Sequence, residues 1–168
     1  MLLESERLII RDAQVSDAPF YFELFNDPDW IENINDKGLR TIEETEVYLK
    51  DILLKNLQLG GLGFFTVILK ETNEPIGVSS ALHRDNLKYI DIGYGFLPKS
   101  RSKGYATEAT KLIMEYVRTT FKQDKVYAFT LPKNKPSQNL LKKIGFTYIG
   151  LQQIFEGEDD CVFEYTYE

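Results

Sequence analysis

The sequence predicts an α/β fold in three layers, with a mixed and mostly antiparallel sheet between helices. Three observations predict it. Phe64 to Leu97 holds three β-rich runs separated by turns. Tyr105 to Phe121 carries the clearest helical period, with Ala109, Leu112, Ile113, Tyr116 and Val117 on one stripe. A β-rich run stands on either side of that helix, which is the pattern of one parallel crossover.

The elements follow in chain order. Arg7 to Ala13 reads as a strand. Ser16 suits an N-cap, with Pro19 in the first turn of a helix running to about Phe25. Phe20 and Leu24 share a face of it. Asn26-Asp27-Pro28-Asp29 ends the helix, and a polar loop with Trp30, Asn33, Asn35 and Gly38 follows. Thr41 and Glu44 form a capping box for a second helix to about Leu57. Tyr48, Leu49, Ile52 and Leu53 supply its apolar stripe. The glycines at 60, 61 and 63 break the pattern. Phe64–Leu69, Ile76–His83 and Lys88–Leu97 then read as a meander, with turns at Thr72–Pro75 and Arg84–Asn86. Gly93 and Gly95 weaken the third strand and mark a bulge or a close backbone approach. After the long helix come a strand at Val126–Leu131 and a short helix at Pro136–Ile144, stopped by Gly145. Strands at Phe146–Ile149 and Cys161–Tyr167 finish the chain. No repeat or linker interrupts it, so residues 1–168 read as one domain.

Composition narrows the function. The net charge of −6 argues against a nucleic-acid binder. One cysteine and one histidine exclude an internal disulfide, a multi-thiolate zinc site and a two-histidine metal site. Cys161 reads as a small core residue and His83 as a structural or solvent-facing one. No signal peptide or membrane-length apolar run is expected, which points to a reducing cytoplasm. The charge is unevenly spread. From Pro98 to Gly145 there are eleven Lys and Arg against three acids, while the rest of the chain holds nine against twenty-three. This is either a chance cluster of solvated charges or a pocket for a polyphosphate. From Asp12 to Asp51 the balance reverses, with eleven acids and three bases.

The basic stretch opens with Arg101-Ser102-Lys103-Gly104-Tyr105-Ala106, between a strand and the first turn of a helix. Free backbone N–H groups and the positive end of the helix dipole project from such a junction. Glycine admits a ligand close to the backbone, and two cations add charge. That is a cradle for pyrophosphate. It is neither a P-loop nor a G-x-G-x-x-G turn.

Other short runs accompany it. They are Ser5-Glu6-Arg7-Leu8-Ile9-Ile10-Arg11, Glu74-Pro75-Ile76-Gly77, Tyr89-Ile90-Asp91-Ile92-Gly93-Tyr94, Asn134-Lys135-Pro136-Ser137 and Lys142-Lys143-Ile144-Gly145-Phe146. In this order and spacing the set resembles the GNAT superfamily of acyl-CoA-dependent N-acyltransferases. Within it the chain looks most like the RimJ/RimL-like branch of ribosomal-protein N-terminal acetyltransferases. The resemblance covers Glu6 to about Gly150.

The resemblance implies a seven-stranded sheet whose central parallel pair splays apart, and acetyl-CoA as co-substrate. Backbone at Tyr94, Gly95, Phe96 and Leu97 would bind the pantetheine arm in the manner of an added strand. Arg101, Ser102, Lys103, Gly104, Tyr105, Ala106 and Thr107 would hold the pyrophosphate. Asn134, Ser137 and Asn139 resemble contacts to the pantetheine or adenosine side. Lys142 and Lys143 either assist a 3′-phosphate or form a solvated face. An acid on the strand before the CoA loop commonly serves as base, often through water. That position is Asp91, one methylene shorter than the expected glutamate. Backbone near Gly95 and Phe96 would stabilise the oxyanion. Ser137 corresponds to the acid that protonates the leaving sulfur, with Tyr94 and Tyr148 as substitutes.

The first two helices would wall the acceptor site, where the acids at 12–51 attract a cationic amine and Trp30 either packs or stacks on it. The expected acceptor is a protein or peptide N-terminal amine or a small cationic amine. No metal and no membrane partner is expected, and a homodimer is a compatible assembly. Two other classes fit the same residues: a non-catalytic acyl-CoA-binding sensor or scaffold, and a phosphate-binding domain unrelated to CoA.

Overall fold

The computed structural model describes residues 1–168. Its strands are β1 (Leu2–Glu4), β2 (Leu8–Asp12), β3 (Gly63–Leu69), β4 (Glu74–Leu82), β5 (Asp91–Phe96), β6 (Lys125–Thr130), β7 (Thr147–Gln152) and β8 (Asp160–Thr166). Its helices are α1 (Ala18–Phe25), α2 (Pro28–Asn33), α3 (Ile42–Gln58), α4 (Tyr105–Phe121) and α5 (Lys135–Ile144). The strands form one sheet in the order β1-β2-β3-β4-β5-β6-β8-β7. Every pairing is antiparallel except β5 with β6. No helix is long and apolar enough to cross a membrane.

The mixed α/β class is therefore as the sequence predicts, but the sheet has eight strands and not seven. The extra one, β1, pairs Leu2 with Arg11 through Glu4 with Ile9. Three residues are too few to show an alternating pattern, and the strand is held partly by the Met1 amino group on Asp12. Two helical details also differ. Ser16 does not cap α1, because Val15–Asp17 form a 3-10 turn and Asp17 occupies the cap position. The stretch read as a polar loop contains α2. Asp27 caps it by accepting from the Trp30 amide, and Pro28 stands in its first turn. The capping box of Thr41 and Glu44 opens α3 as expected.

The helices cover both faces. On one face α4 and α5 bring Ala109, Ile113, Val117 and Leu141 against Leu8, Ile10, Phe65, Val67 and Ala128. On the other, α1, α2 and α3 bury Phe20, Tyr21, Leu24, Phe25, Trp30 and Leu49 against Val78 and Leu97. Strand β5 lies between the two clusters, feeding Ile92, Tyr94 and Phe96 into the first and presenting Gly95 to Trp30 of the second.

A polar knot ties α1 to the sheet. Arg11 forks onto Asp17 at 2.7 and 2.8 Å. The Gln14 amide and the Thr66 hydroxyl also donate to Asp17, at 2.8 and 3.2 Å. Burial works to raise the Asp17 carboxyl, but these donors outweigh it and hold it below its ordinary range. A lowered folded value means the stabilisation is present at neutral pH and fades as pH falls through the ordinary carboxylate range. Asp17→Asn is expected to cost about 2 kcal/mol in denaturant melts at pH 7, less than a fully buried pair because Arg11 is partly exposed. The gap between variant and wild type should begin to narrow as pH falls below the ordinary carboxylate value of about 4 and close only below the lowered folded value.

Candidate active site

Strand β5 is held on one side along its whole length and on the other at a single point. It pairs with β4 from Leu82↔Asp91 to Gly77↔Phe96. With β6 it shares only Asp91↔Tyr127, where the Tyr127 amide donates to the Ile90 carbonyl at 2.9 Å. Beyond that point β6 stays with β8, from Lys125↔Thr166 to Thr130↔Cys161. A gap therefore opens between Ile92–Phe96 and Ala128–Thr130. Facing backbone groups along it have no ladder between them, and such groups require another partner. The Thr130 hydroxyl, buried at the end of β6, has no partner either.

At the open end lie a 3-10 turn at Pro98–Ser100 and the loop into α4. Ser102 and Gly104 both take positive φ, at 59° and 81°. A Cβ on Gly104 would sit 3.3 Å from the Arg7 guanidinium in a backbone shape that side chains avoid. No side chain caps α4. Its first bond runs from the Glu108 amide to the Gly104 carbonyl at 3.1 Å, which leaves the Tyr105, Ala106 and Thr107 amides at the positive end of the helix. Glu108 does not spoil this site for an anion, since Ser5 and Arg7 donate to it at 2.7 Å. Arg7 also donates to the Lys103 carbonyl at 2.9 Å and stacks 4.6 Å from the Tyr105 ring centre. It is the brace of the loop, a part its place in an opening motif did not disclose. Ser102 and Lys103 are exposed. Arg101 is not: its Nε donates to the Phe96 carbonyl at 3.0 Å, and its two amino groups pair with Asp27 at 2.7 Å and with Asp29.

Successive residues of β5 alternate between the two faces. Asp91, Gly93 and Gly95 face the α1–α3 layer. Asp91 is only 4% exposed and receives Arg84 on both oxygens, at 2.7 and 3.3 Å. Phe155, in the loop between β7 and β8, lies 4.8 Å from that guanidinium. Burial raises the Asp91 carboxyl and Arg84 pulls it partly back, leaving it above its ordinary range. The Trp30 ring lies on Gly95, so closely that a Cβ there would come within 2.4 Å of it. Ile92, Tyr94 and Phe96 face the α4–α5 layer. The Tyr94 hydroxyl is 2.8 Å from the Ser137 hydroxyl, and burial pushes the phenol up to about 12. Asn134 caps α5 by accepting from the Ser137 amide at 3.3 Å. Leu97 is buried under α1 and α2, and Asn139 is exposed.

Asp91 and Tyr94–Ser137 thus stand on opposite sides of the strand that borders the gap. Tyr148, His83 and Cys161 stand apart: Tyr148 and His83 are exposed, and Cys161 is buried in the core. Lys142 and Lys143 are exposed in the last turn of α5. The structure revises the charge count as well. Within the acidic stretch, Asp12, Asp17, Asp27, Asp29 and Asp36 all have cationic partners. In the basic stretch Lys99, Lys103 and Lys135, near the gap, have none. The basic end keeps these three charges although Arg101 is neutralised, and the acidic wall keeps less of its own.

Comparison with known proteins agrees with this architecture. A family model described as "Acetyltransferase (GNAT) domain" matches residues 7–147. The uncharacterized N-acetyltransferase p20 of Bacillus licheniformis is 27% identical over 157 residues, covering 92% of this chain and 86% of its own. The uncharacterized N-acetyltransferase YnaD of Bacillus subtilis is 29% identical over 150 residues, covering 86% and 82%. The crystal structure of a GNAT-family acetyltransferase from Bacillus anthracis superposes with a TM-score of 0.83 at 27% identity, covering 99% of this chain and 98% of that one. RimL, the ribosomal L7/L12 α-N-protein acetyltransferase solved with coenzyme A, has the same fold, with a TM-score of 0.84 at 18% identity and coverage of 99% and 98%. With the family match spanning most of its length, this chain belongs to the GNAT family of acetyltransferases.

Proposed function

We propose that the chain transfers an acetyl group from acetyl-CoA to a primary amine, either a protein or peptide N-terminal amine or a small cationic amine, with residues 1–168 acting as one catalytic domain. The observation that carries this reading is the parallel pair closed at one rung. It leaves a backbone-lined slot leading to an uncapped helix N-terminus. A pantetheine arm has the amides and length to complete such a slot as an added strand. RimL was solved with coenzyme A, and the likeness in fold supports the same ligand here.

The chain's own groups then divide the work. Backbone at Tyr94–Leu97 aligns the arm, and an amide near Gly95 and Phe96 faces the thioester carbonyl to stabilise the oxyanion. The amides from Ser102 to Thr107, with Lys103 beside them, hold the pyrophosphate. Asn134 and Asn139 border the nucleotide side. The amine approaches from the α1–α3 face. Asp91 receives its proton through a water, since Arg84 already occupies both carboxylate oxygens. Neutral nitrogen attacks the carbonyl carbon, the carbon–sulfur bond breaks, and the nitrogen sheds its extra proton to water. Ser137 gives its hydroxyl proton to the thiolate and recovers one from solvent, while Tyr94, whose raised phenol stays protonated at neutral pH, holds the serine hydroxyl in place.

A thiol-release assay with acetyl-CoA across peptides, polyamines and aminoglycosides tests the reading, and release with no amine in the panel overturns it. Ser137→Ala should lower kcat by about 10- to 100-fold while acetyl-CoA binding by calorimetry stays within about threefold. Asp91 has a raised carboxyl, so the acid limb of kcat/KM should lie above the ordinary carboxylate value of about 4. Asp91→Asn should remove that limb.

A further inference from the structure

Arg101 stands first in the turn assigned to pyrophosphate, yet all three nitrogens of its guanidinium are engaged elsewhere. Nε holds the Phe96 carbonyl, at the end of the strand bordering the gap. The amino groups hold Asp27 and Asp29, which flank Pro28 at the start of α2. Asp27 Oδ2 accepts from both Arg101 and the Trp30 amide, at 2.7 and 3.3 Å. That carboxylate is 10% exposed, so losing its cation would leave a nearly buried charge alone.

Helix α2 is six residues long, too short to persist without outside support. Its one buried side chain is Trp30, seated on Gly95 and 5.1 Å from the Phe25 ring centre. The position of Trp30 over the gap-lining strand therefore depends on the Asp27 cap, and that cap depends on Arg101.

We propose that Arg101 is a positioning residue for the amine side of the reaction: through Asp27 and Asp29 it locks α2 and sets Trp30 on Gly95 as a wall of the acceptor site, while the phosphate is left to the backbone amides of the turn. This deepens the acetyl-transfer reading and rests on it. A planar fork serves three acceptors in different directions, which a lysine ammonium on a flexible stem does not. The clamp also joins the acetyl-CoA loop to the acceptor wall, so each substrate site is built partly from the other's scaffold.

The test compares Arg101→Lys with the charge-removing double variant Asp27→Asn/Asp29→Asn. Trp30 is the only tryptophan in the chain, so its fluorescence and acrylamide quenching report α2 directly. Melting curves confirm that each variant folds. The amine used is the member of the panel that wild type acetylates fastest. Both variants should raise its KM about fivefold or more and increase Trp30 quenching, with the acetyl-CoA Kd within about threefold of wild type. Combining them should add little, as expected for residues acting as one unit. The proposal fails if Arg101→Lys weakens acetyl-CoA about tenfold with quenching and amine KM unchanged, for the guanidinium would then be a phosphate ligand. It fails equally if the double variant leaves KM and quenching at wild-type values. A wild-type protein that acetylates no amine in the panel would overturn the functional reading, while the quenching arm would still decide the clamp.

Discussion

The bond from the Tyr127 amide to the Ile90 carbonyl closes the parallel pair, and nothing further along those strands repeats it. Each strand is satisfied on its outer side, β5 by β4 and β6 by β8. Each therefore has a full ladder on its outer side, and the two inner edges are free to diverge. A divided sheet exposes amides and carbonyls within the fold, where water competes less well and an extended ligand is the natural complement. Every later feature of the site is arranged around that division.

The two sides of β5 show how one strand could serve the two proton transfers proposed for it. Alternation sends Asp91, Gly93 and Gly95 to one layer and Tyr94 to the other. A carboxylate and a phenol–hydroxyl pair are thereby kept apart by the thickness of a backbone. Burial acts on both, raising the carboxyl of Asp91 and the phenol of Tyr94. Asp91 is thereby a readier proton acceptor than an ordinary carboxylate, and Tyr94 keeps its own proton at neutral pH. The glycines contribute by absence: without Cβ atoms at 93 and 95 the strand presents bare backbone, and Trp30 settles on the second.

Charge reads differently in sequence and in space. The acidic excess of residues 12–51 is a property of composition, but much of it is consumed by partners from β2, from the N-terminus and from the loop before α4. Lys99, Lys103 and Lys135 near the open end keep theirs, with no carboxylate at ion-pair distance, whereas Arg101 beside them is paired. A count along the chain cannot distinguish these cases, since pairing is set by contacts between residues as far apart as Asp27 and Arg101, separated by 74 positions. Arg84 escaped notice for the opposite reason: seven residues from Asp91, it lay in a turn whose direction only the hairpin of β4 and β5 fixes.

Local physics wrote much of this molecule into its sequence. Thr41 and Glu44 announce α3, the stripe on α4 announces its buried face, and Gly104 before Tyr105 announces an open helix end, because caps, periodicity and positive φ act within a few residues. The order of short motifs was enough to place the chain in its family. What the sequence left open was settled by packing: that three residues at the start join the sheet, that Pro28–Asn33 become a helix, and that Arg101 turns from the phosphate loop to an acidic pair. Those outcomes depend on which surfaces meet after the chain has folded, and no window of neighbouring residues contains that information.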